Sequence, residues 1–159
     1  MAVGPQIVAL RCGGTTFGIP IDRVREIVMV PEITPVPESG EFIRGIINLR
    51  GRILPVLDLG QRLGLGSGPR DGSGRILVVE PEPQHPLGLL VDEASEVLRV
   101  PDGLMSPPPE LASGPLGSSL RAVVRLDERL VLLLDLARVI GSEGAAAPTL
   151  TDGAASGAA

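Results

Sequence analysis

The chain has 159 residues and a net charge of −5; 43% of its residues are hydrophobic and only 1% are aromatic. This length suits one domain, and the hydrophobic content excludes a wholly disordered protein whose core could not form. The acidic balance argues against binding to nucleic acid or to anionic membranes, and the scarcity of aromatic rings argues against base or sugar stacking. We therefore expect the binding partners to be proteins.

Neither a membrane span nor a redox site is indicated. No apolar run approaches the roughly 20 residues that a transmembrane helix needs, and the first residues lack the basic region of a secretion signal. Cys12 is the single cysteine and lies in an alternating strand pattern, so we expect a buried or half-buried structural thiol. These features favour a cytoplasmic protein without direct membrane insertion.

The first half of the chain is predicted to be mainly strands. A glycine turn at Gly13 and Gly14 joins the first two, prolines keep the stretch after residue 30 extended, and the tip Arg50-Gly51 joins the last two. Short helical turns are expected at 20–23 and 41–44, and Asp58 is placed to cap a short helix that ends near residue 62. The predicted strands are 6–12, 15–19, 26–30, 45–49 and 52–57.

The second half follows a glycine-rich linker at 64–74 and repeats the same kinds of element. A long irregular connection is expected at 101–117, and a short helix is expected after Asp135. From Ser142 onward the Ala, Gly, Ser and Thr content predicts a disordered tail at 142–159. The predicted strands are 75–80, 87–91, 96–100, 120–126 and 129–134.

An internal repeat organises these elements. The segment that starts at Ile47 aligns without gaps to the segment that starts at Val124, and GIPIDRVREIV from Gly18 matches GLLVDEASEVL from Gly88. The repeat predicts two β-subdomains, roughly 15–66 and 75–141, with the N-terminal strand and C-terminal helix as candidates for crossing between them. Because each half is too small to bury much surface alone, the two should pack together and leave a groove.

The repeat separates residues that serve the fold from residues that are free to serve function. Asp58 and Asp135 correspond to each other and each precedes a short apolar helix, so helix capping explains them better than a catalytic pair does.

The hairpin tips differ, because Arg50-Gly51 corresponds to Asp127-Glu128. An exposed guanidinium at a rigid tip suits a bidentate contact with a carboxylate of a partner, although a solvated loop arginine remains an alternative. Glu26 is either a solvent-facing strand residue or part of a partner surface.

No catalytic motif is present. His85 is the only histidine and lies in a predicted turn, and the sequence has no CxxC motif, nucleophile elbow or phosphate-binding loop. A hydrolase that uses His85 and scattered carboxylates is the weakest hypothesis. We expect no enzyme activity, no cofactor and no metal.

The segment RGIINLRGRILPVLDL, preceded by FGIPIDRVREIV and followed by GLLVDEASEVL, SPPPEL and ERLVLLLDL, resembles the CheW family of bacterial chemotaxis coupling proteins. The resemblance covers residues 6–141 as one domain and implies an all-β fold of two SH3-like five-stranded β-barrels with short helices. It also implies a non-enzymatic adaptor, monomeric alone, that joins the cytoplasmic tip of chemoreceptors to the regulatory domain of the histidine kinase CheA in a larger array. A related adaptor role in a non-flagellar array, governing surface motility or gene expression, stays open.

The resemblance also implies which residues bind partners. Arg50 matches the functional arginine of the family, and the other positions come from the same or neighbouring motifs. The chain departs from the usual family pattern at Ala94 and Ala122, where a larger apolar residue or glycine is more familiar, and in its Ala-rich tail. The implied partner-binding residues are Val24, Glu26, Gly45, Asn48, Arg50, Gly51 and Val97.

Overall fold

A computed structural model describes residues 5–101, 103–109 and 114–146, with three short helices, one 3-10 turn at Ile21–Arg23 and eleven strands in that part of the chain. The helices are α1 (Leu59–Arg62), α2 (Gly114–Ser119) and α3 (Leu136–Ala146). The strands are β1 (Gln6–Cys12), β2 (Thr15–Pro20), β3 (Val24–Met29), β4 (Ile43–Leu49), β5 (Arg52–Asp58), β6 (Arg75–Glu82), β7 (His85–Val91), β8 (Glu93–Arg99), β9 (Met105–Ser106), β10 (Leu120–Leu126) and β11 (Arg129–Leu134).

The strands form two sheets with the same plan. One has the order β3-β6-β7-β5-β4 and the other β8-β1-β2-β11-β10-β9. In each sheet the neighbours are antiparallel except for one parallel pair, β5 with β7 and β11 with β2. We call the first sheet barrel 1 and the second barrel 2. The mainly β, SH3-like fold class predicted from the sequence is confirmed, and barrel 2 adds the short strand β9, paired with β10, as a sixth strand to the five predicted.

The boundaries between the two barrels do not coincide with the boundaries between the two sequence repeats. Barrel 1 takes all its strands from β3 to β7, whereas β1 and β2 join β8 to β11 in barrel 2. Each repeat thus begins with a strand in one barrel and crosses to the other, through the turn at Ile21–Arg23 in one case and at Asp92 in the other. The subdomain ranges 15–66 and 75–141 follow the repeat, but the pairing of β2 with β11 joins residues that are distant in sequence, and no local pattern predicts it.

Three clusters of buried apolar side chains hold the barrels together. One small cluster includes Ile47 and Leu54 inside barrel 1, and another includes the corresponding Val124 and Val131 inside barrel 2. A larger cluster takes residues from both sheets and from α1 and α3, with Phe17 fully buried among them. Since this shared core is larger than either barrel's own, the two halves pack on each other as the repeat predicted.

The helix caps agree with the sequence, and two connections do not. Asp58 accepts a hydrogen bond from the Gln61 amide at the start of α1, and Asp135 accepts one from the Arg138 amide in α3. The helical turn predicted at 41–44 is wrong, because a turn there leads directly into β4. The connection predicted to be irregular at 101–117 contains β9 and the start of α2.

The C-terminal helix is longer than the sequence indicated. It continues through a kink at Gly141 to Ala146, so residues 142–146 of the predicted disordered tail are helical. Residues 147–159 of that tail lie outside the described residues.

Cys12 is buried as predicted, with 2% of its surface exposed. Burial is the main reason that the pKa of its thiol rises to about 12. None of the helices in the described part of the chain is long and apolar enough to cross a membrane.

Candidate functional site

The tip of the β4–β5 hairpin is a tight two-residue turn. Leu49 pairs with Arg52 in the register, so Arg50 and Gly51 alone make the connection. Their φ angles are +51° and +85°, and positive φ at both central residues is the arrangement whose twist matches a hairpin. The side-chain oxygen of Asn48 accepts a hydrogen bond of 3.0 Å from the Gly51 amide. The tip is therefore held from within the hairpin.

Arg50 makes a bidentate ion pair with Glu26 of β3. Its Nη1 and Nη2 atoms each donate a hydrogen bond of 2.6 Å to one carboxylate oxygen. The Arg50 side chain is 69% exposed and that of Glu26 is 29% exposed. The sequence predicted a carboxylate partner for Arg50 on another protein, but the structure supplies one within the chain. Any partner thus meets a paired guanidinium.

Each member of this pair stabilises the charge of the other. The hydrogen bond from Arg50 is the main reason that the pKa of Glu26 is lowered, and Arg25 adds a smaller attraction. The same pair raises the pKa of Arg50. Because the pKa of Glu26 is depressed in the folded protein, the pair is intact at neutral pH and is lost as the pH falls through that lowered value.

The remaining predicted partner-binding residues do not all lie at this tip. Val24 begins β3 and packs half-buried against the shared core. Gly45 is buried in β4, where a Cβ atom would lie 2.3 Å from the Thr34 carbonyl oxygen. Val97 lies in barrel 2 and is 48% exposed. The structure therefore gathers Glu26, Asn48, Arg50 and Gly51 at one end of barrel 1 and leaves Gly45 and Val97 elsewhere.

Sequence reasoning missed two apolar side chains next to Glu26. Ile27 and Met29 alternate with Glu26 and Val28 along β3 and are 38% and 73% exposed. The signal was present, because β3 is apolar on both of its faces, which a strand with one solvated face is not expected to be. Ile27 and Met29 thus lie on the outer face of β3, opposite the face that carries Glu26, and exposed apolar side chains there suit contact with another protein.

Barrel 2 carries a related ion pair at a different position. Glu96 corresponds to Glu26 in the repeat, and it accepts a hydrogen bond of 2.5 Å from Arg129 in strand β11 rather than from a tip residue. Beside the hairpin lies a depression of about 450 Å³. Its lining residues are Gly103, Leu104, Ser106, Pro107, Pro109, Val123, Arg125 and Leu130.

A buried ion pair supports barrel 1 at the other end of the hairpin. Asp58 is 1% exposed and its Oδ2 lies 2.5 Å from Nη2 of Arg44, which is 12% exposed. The Gly68 amide also donates to both oxygens of Asp58, at 3.1 and 2.9 Å. The pair thus fastens the segment predicted as a free linker onto the barrel.

A metal-binding cluster is not assembled in the described part of the chain. No group of three or more His, Cys, Asp and Glu side chains there could hold a metal ion. His85 is exposed at the start of β7, with Nδ1 3.1 Å from the Pro83 carbonyl oxygen.

Two SH3-like barrels that share one core and carry a paired arginine at an exposed hairpin tip define the class of this protein as a double β-barrel module. The family model described as CheW-like domain matches residues 6–144. The chain therefore belongs to the CheW family.

Relatives and a solved structure agree with this family. A probable chemotaxis protein CheW from Rhizobium etli is 36% identical over 132 residues, which cover 82% of this chain and 84% of the relative. The crystal structure of the scaffolding protein TtCheW from Thermoanaerobacter tengcongensis matches with a TM-score of 0.78 and 32% identity, covering 91% of this chain and 96% of that one. Protein PilI from Pseudomonas aeruginosa is 35% identical over 111 residues, 68% of this chain and 62% of the relative.

Membership of this family settles the class of activity. The chain is a chemotaxis adaptor and not an enzyme, which confirms the function and the resemblance predicted from the sequence.

Proposed function

We propose that this adaptor joins the cytoplasmic tip of chemoreceptors to the regulatory domain of the histidine kinase CheA. In this proposal the protein is a cytoplasmic monomer that is recruited to membrane-associated receptor arrays and binds no nucleic acid. The surface that carries the function is the tip of barrel 1. We define it by the paired Glu26 and Arg50 with Gly51 at the turn, and we add Ile27 and Met29 on the opposite, outer face of β3 as neighbouring apolar contacts.

The observation that carries the proposal is the outward presentation of the Arg50–Glu26 pair. Both barrels have a glutamate at the corresponding position, but only in barrel 1 does the pairing arginine stand at the hairpin tip. Barrel 2 closes its own hairpin with Asp127 and Glu128, so an arginine at the tip is not a requirement of the fold. A difference between two copies of one fold points to function at that position.

The outer face of β3, the strand that carries Glu26, also fits a protein partner. Met29 is the most exposed large apolar side chain among the described residues at 73%, and it lies on the same strand as Glu26. Apolar contacts would supply affinity, and the charged pair would supply orientation and selectivity. Val24 and Val97 remain candidates for additional contacts, with Val97 belonging to a separate region on barrel 2.

Replacing Arg50 by glutamate is expected to weaken binding to CheA or to receptors at least about tenfold, because it places two like charges together at the tip. The thermal midpoint should move by less than about 4 °C, since the side chain is exposed. Isothermal titration against the regulatory domain and against receptor fragments measures the first effect, and differential scanning calorimetry measures the second.

Two further variants separate contact from scaffolding. Arg121→Glu makes the same charge change at an exposed position of β10 and should leave affinity unchanged. The exchange Glu26→Arg with Arg50→Glu keeps an ion pair but reverses its direction, and it should not restore binding. Full recovery by the exchange, or a large loss of thermal stability in Arg50→Glu, would make Arg50 a structural residue.

A second candidate function is favoured by the similarity to PilI, namely an adaptor of a chemosensory array that governs surface motility or gene expression. The fold and the tip would serve the same purpose there, with different receptors. Neighbouring genes for pili rather than flagella, together with capture of the corresponding kinase from the native host, would favour this role.

A further inference from the structure

The tip of barrel 1 uses a conformation that its central arginine does not favour. Arg50 has a φ of +51°, in the left-handed region where residues other than Gly, Asn and Asp are uncommon. The first central position of such a turn usually holds Asn, Asp or Gly. An interaction that restrains the backbone on both sides of this residue therefore favours one geometry of the arginine.

Asn48 supplies an interaction of this kind. Its side-chain oxygen accepts the hydrogen bond from the amide of Gly51, the residue directly after Arg50. The contact spans the turn from the strand that precedes it, so it restricts the backbone on both sides of Arg50. Asn48 itself is exposed, and its oxygen is directed to the turn.

The ion pair of Arg50 with Glu26 depends on the geometry of the turn more strongly than a single hydrogen bond would. Its two hydrogen bonds to Glu26, each of 2.6 Å, need the planar guanidinium and the carboxylate to lie side by side. A modest rotation of the turn would break one of the two bonds. The backbone conformation and the ion pair are thus coupled.

The second hairpin provides a comparison within the same molecule. Arg125 occupies the position of Asn48, and at that tip Asp127 has a φ of +57°. The turn still has two residues, with Leu126 paired to Arg129. Since the tip position holds Asp127 and not an arginine, the pair with Glu96 is made by Arg129 in the strand. The asparagine is therefore not needed to close a turn, and it accompanies an arginine at the tip.

We propose that Asn48 is a positioning residue: its hydrogen bond to the Gly51 amide fixes the turn that aims Arg50 at Glu26, and Asn48 does not itself contact the partner. This inference rests on the proposed function for its effect on binding, but its structural part holds in the isolated protein. It replaces the expectation that Asn48 is a partner-binding residue.

The test compares Asn48→Ala, which removes the acceptor, with Asn48→Ser, which keeps a short uncharged acceptor able to reach a nearby backbone amide. The readout is the pKa of Glu26, followed by carbon-detected NMR of its carboxylate in the full chain. Arg50 and, more weakly, Arg25 lower that pKa. It should rise toward the ordinary value in Asn48→Ala and stay low in Asn48→Ser, while Arg125→Ala at the matched position should leave it unchanged.

Binding to the kinase regulatory domain is measured on the same variants. Asn48→Ala should bind about fivefold more weakly, as expected for the loss of one hydrogen bond, and Asn48→Ser should recover most of the affinity. A low Glu26 pKa in Asn48→Ala would overturn the positioning role whatever the partners do. If both variants lose binding equally and the pKa of Glu26 stays low in both, Asn48 would be a direct contact, and this result would also overturn the positioning role.

The two readouts separate this inference from the proposed function. A raised Glu26 pKa in Asn48→Ala with unchanged binding would support the positioning role and would contradict the proposed contact of Arg50 with partners.

Discussion

Replacing Asp58 by alanine is expected to lower the free energy of unfolding by about 3 to 5 kcal/mol, the range for breaking a buried ion pair. The variant would leave the guanidinium of Arg44, which is 12% exposed, without its carboxylate. It would also remove the acceptor for the amides of Gln61 and Gly68, so that α1 and the segment after it lose their attachment. Urea denaturation followed by circular dichroism measures the effect.

The repeat supplies a matched control for this prediction. Asp135→Ala removes the corresponding cap of α3, but this side chain is 32% exposed and its nearest cation, on Arg138, lies 3.7 Å away. Loss of a cap alone costs about 1 kcal/mol. Similar losses in the two variants would show that the Arg44 pair adds nothing and that Asp58 acts only as a cap.

Replacing Gly45 by alanine is expected to destabilise the fold by about 3 kcal/mol through overpacking and backbone strain. The added Cβ would lie 2.3 Å from the Thr34 carbonyl oxygen and 2.9 Å from a methyl group of Ile33. Two hydrogen bonds of 2.9 Å join Thr34 to Ile46 and hold that backbone in place, so the clash has no easy relief. The free energy of unfolding measures this effect.

A comparison with Gly51 shows whether the close approach is the cause. Gly51 has a φ of +85° and no atom within 4 Å of an added Cβ, so Gly51→Ala should cost only the backbone term of about 1 to 2 kcal/mol. If Gly45→Ala is as stable as the wild type but fails to bind partners, Gly45 would be a contact residue after all.

The repeat supplies a second comparison for Gly45. Ala122 corresponds to Gly45 in the repeat, is 4% exposed and lies at a similar shift of register in the β10–β11 pair. Barrel 2 therefore accommodates a Cβ where barrel 1 does not. Residues 33 and 34 pack so closely against β4 that only glycine fits at position 45.

Much of the fold could be predicted because its signals are local. Alternating apolar residues bounded by glycine turns defined the hairpins, and the β10 and β11 bounds agree with the prediction. The repeat identified Asp58 and Asp135 as helix caps, since a carboxylate before an apolar helix is a local pattern. The resemblance to a family then supplied the SH3-like topology.

The rest depended on contacts between distant parts of the chain. Arg50 and Arg44 are both arginines in one motif, and nothing local indicates that one pairs with an exposed glutamate of β3 and the other with a buried aspartate. Each repeat also begins with a strand that joins the barrel of the other repeat. These strands are β2, which pairs in parallel with β11, and β7, which pairs in parallel with β5. Sequence patterns specify elements, whereas these features arise when the elements pack.

The central claim is that this protein bridges two partners, and a three-component sedimentation measures that directly. Receptor-bearing membranes, purified kinase CheA and this protein are mixed and pelleted, and the kinase in the pellet and its autophosphorylation rate are measured. We predict that the kinase pellets with the membranes and is stimulated only when the wild-type protein is present, and that Arg50→Glu supports neither effect. Equal pelleting of the kinase with and without this protein, or binding of this protein to neither partner, would contradict the account.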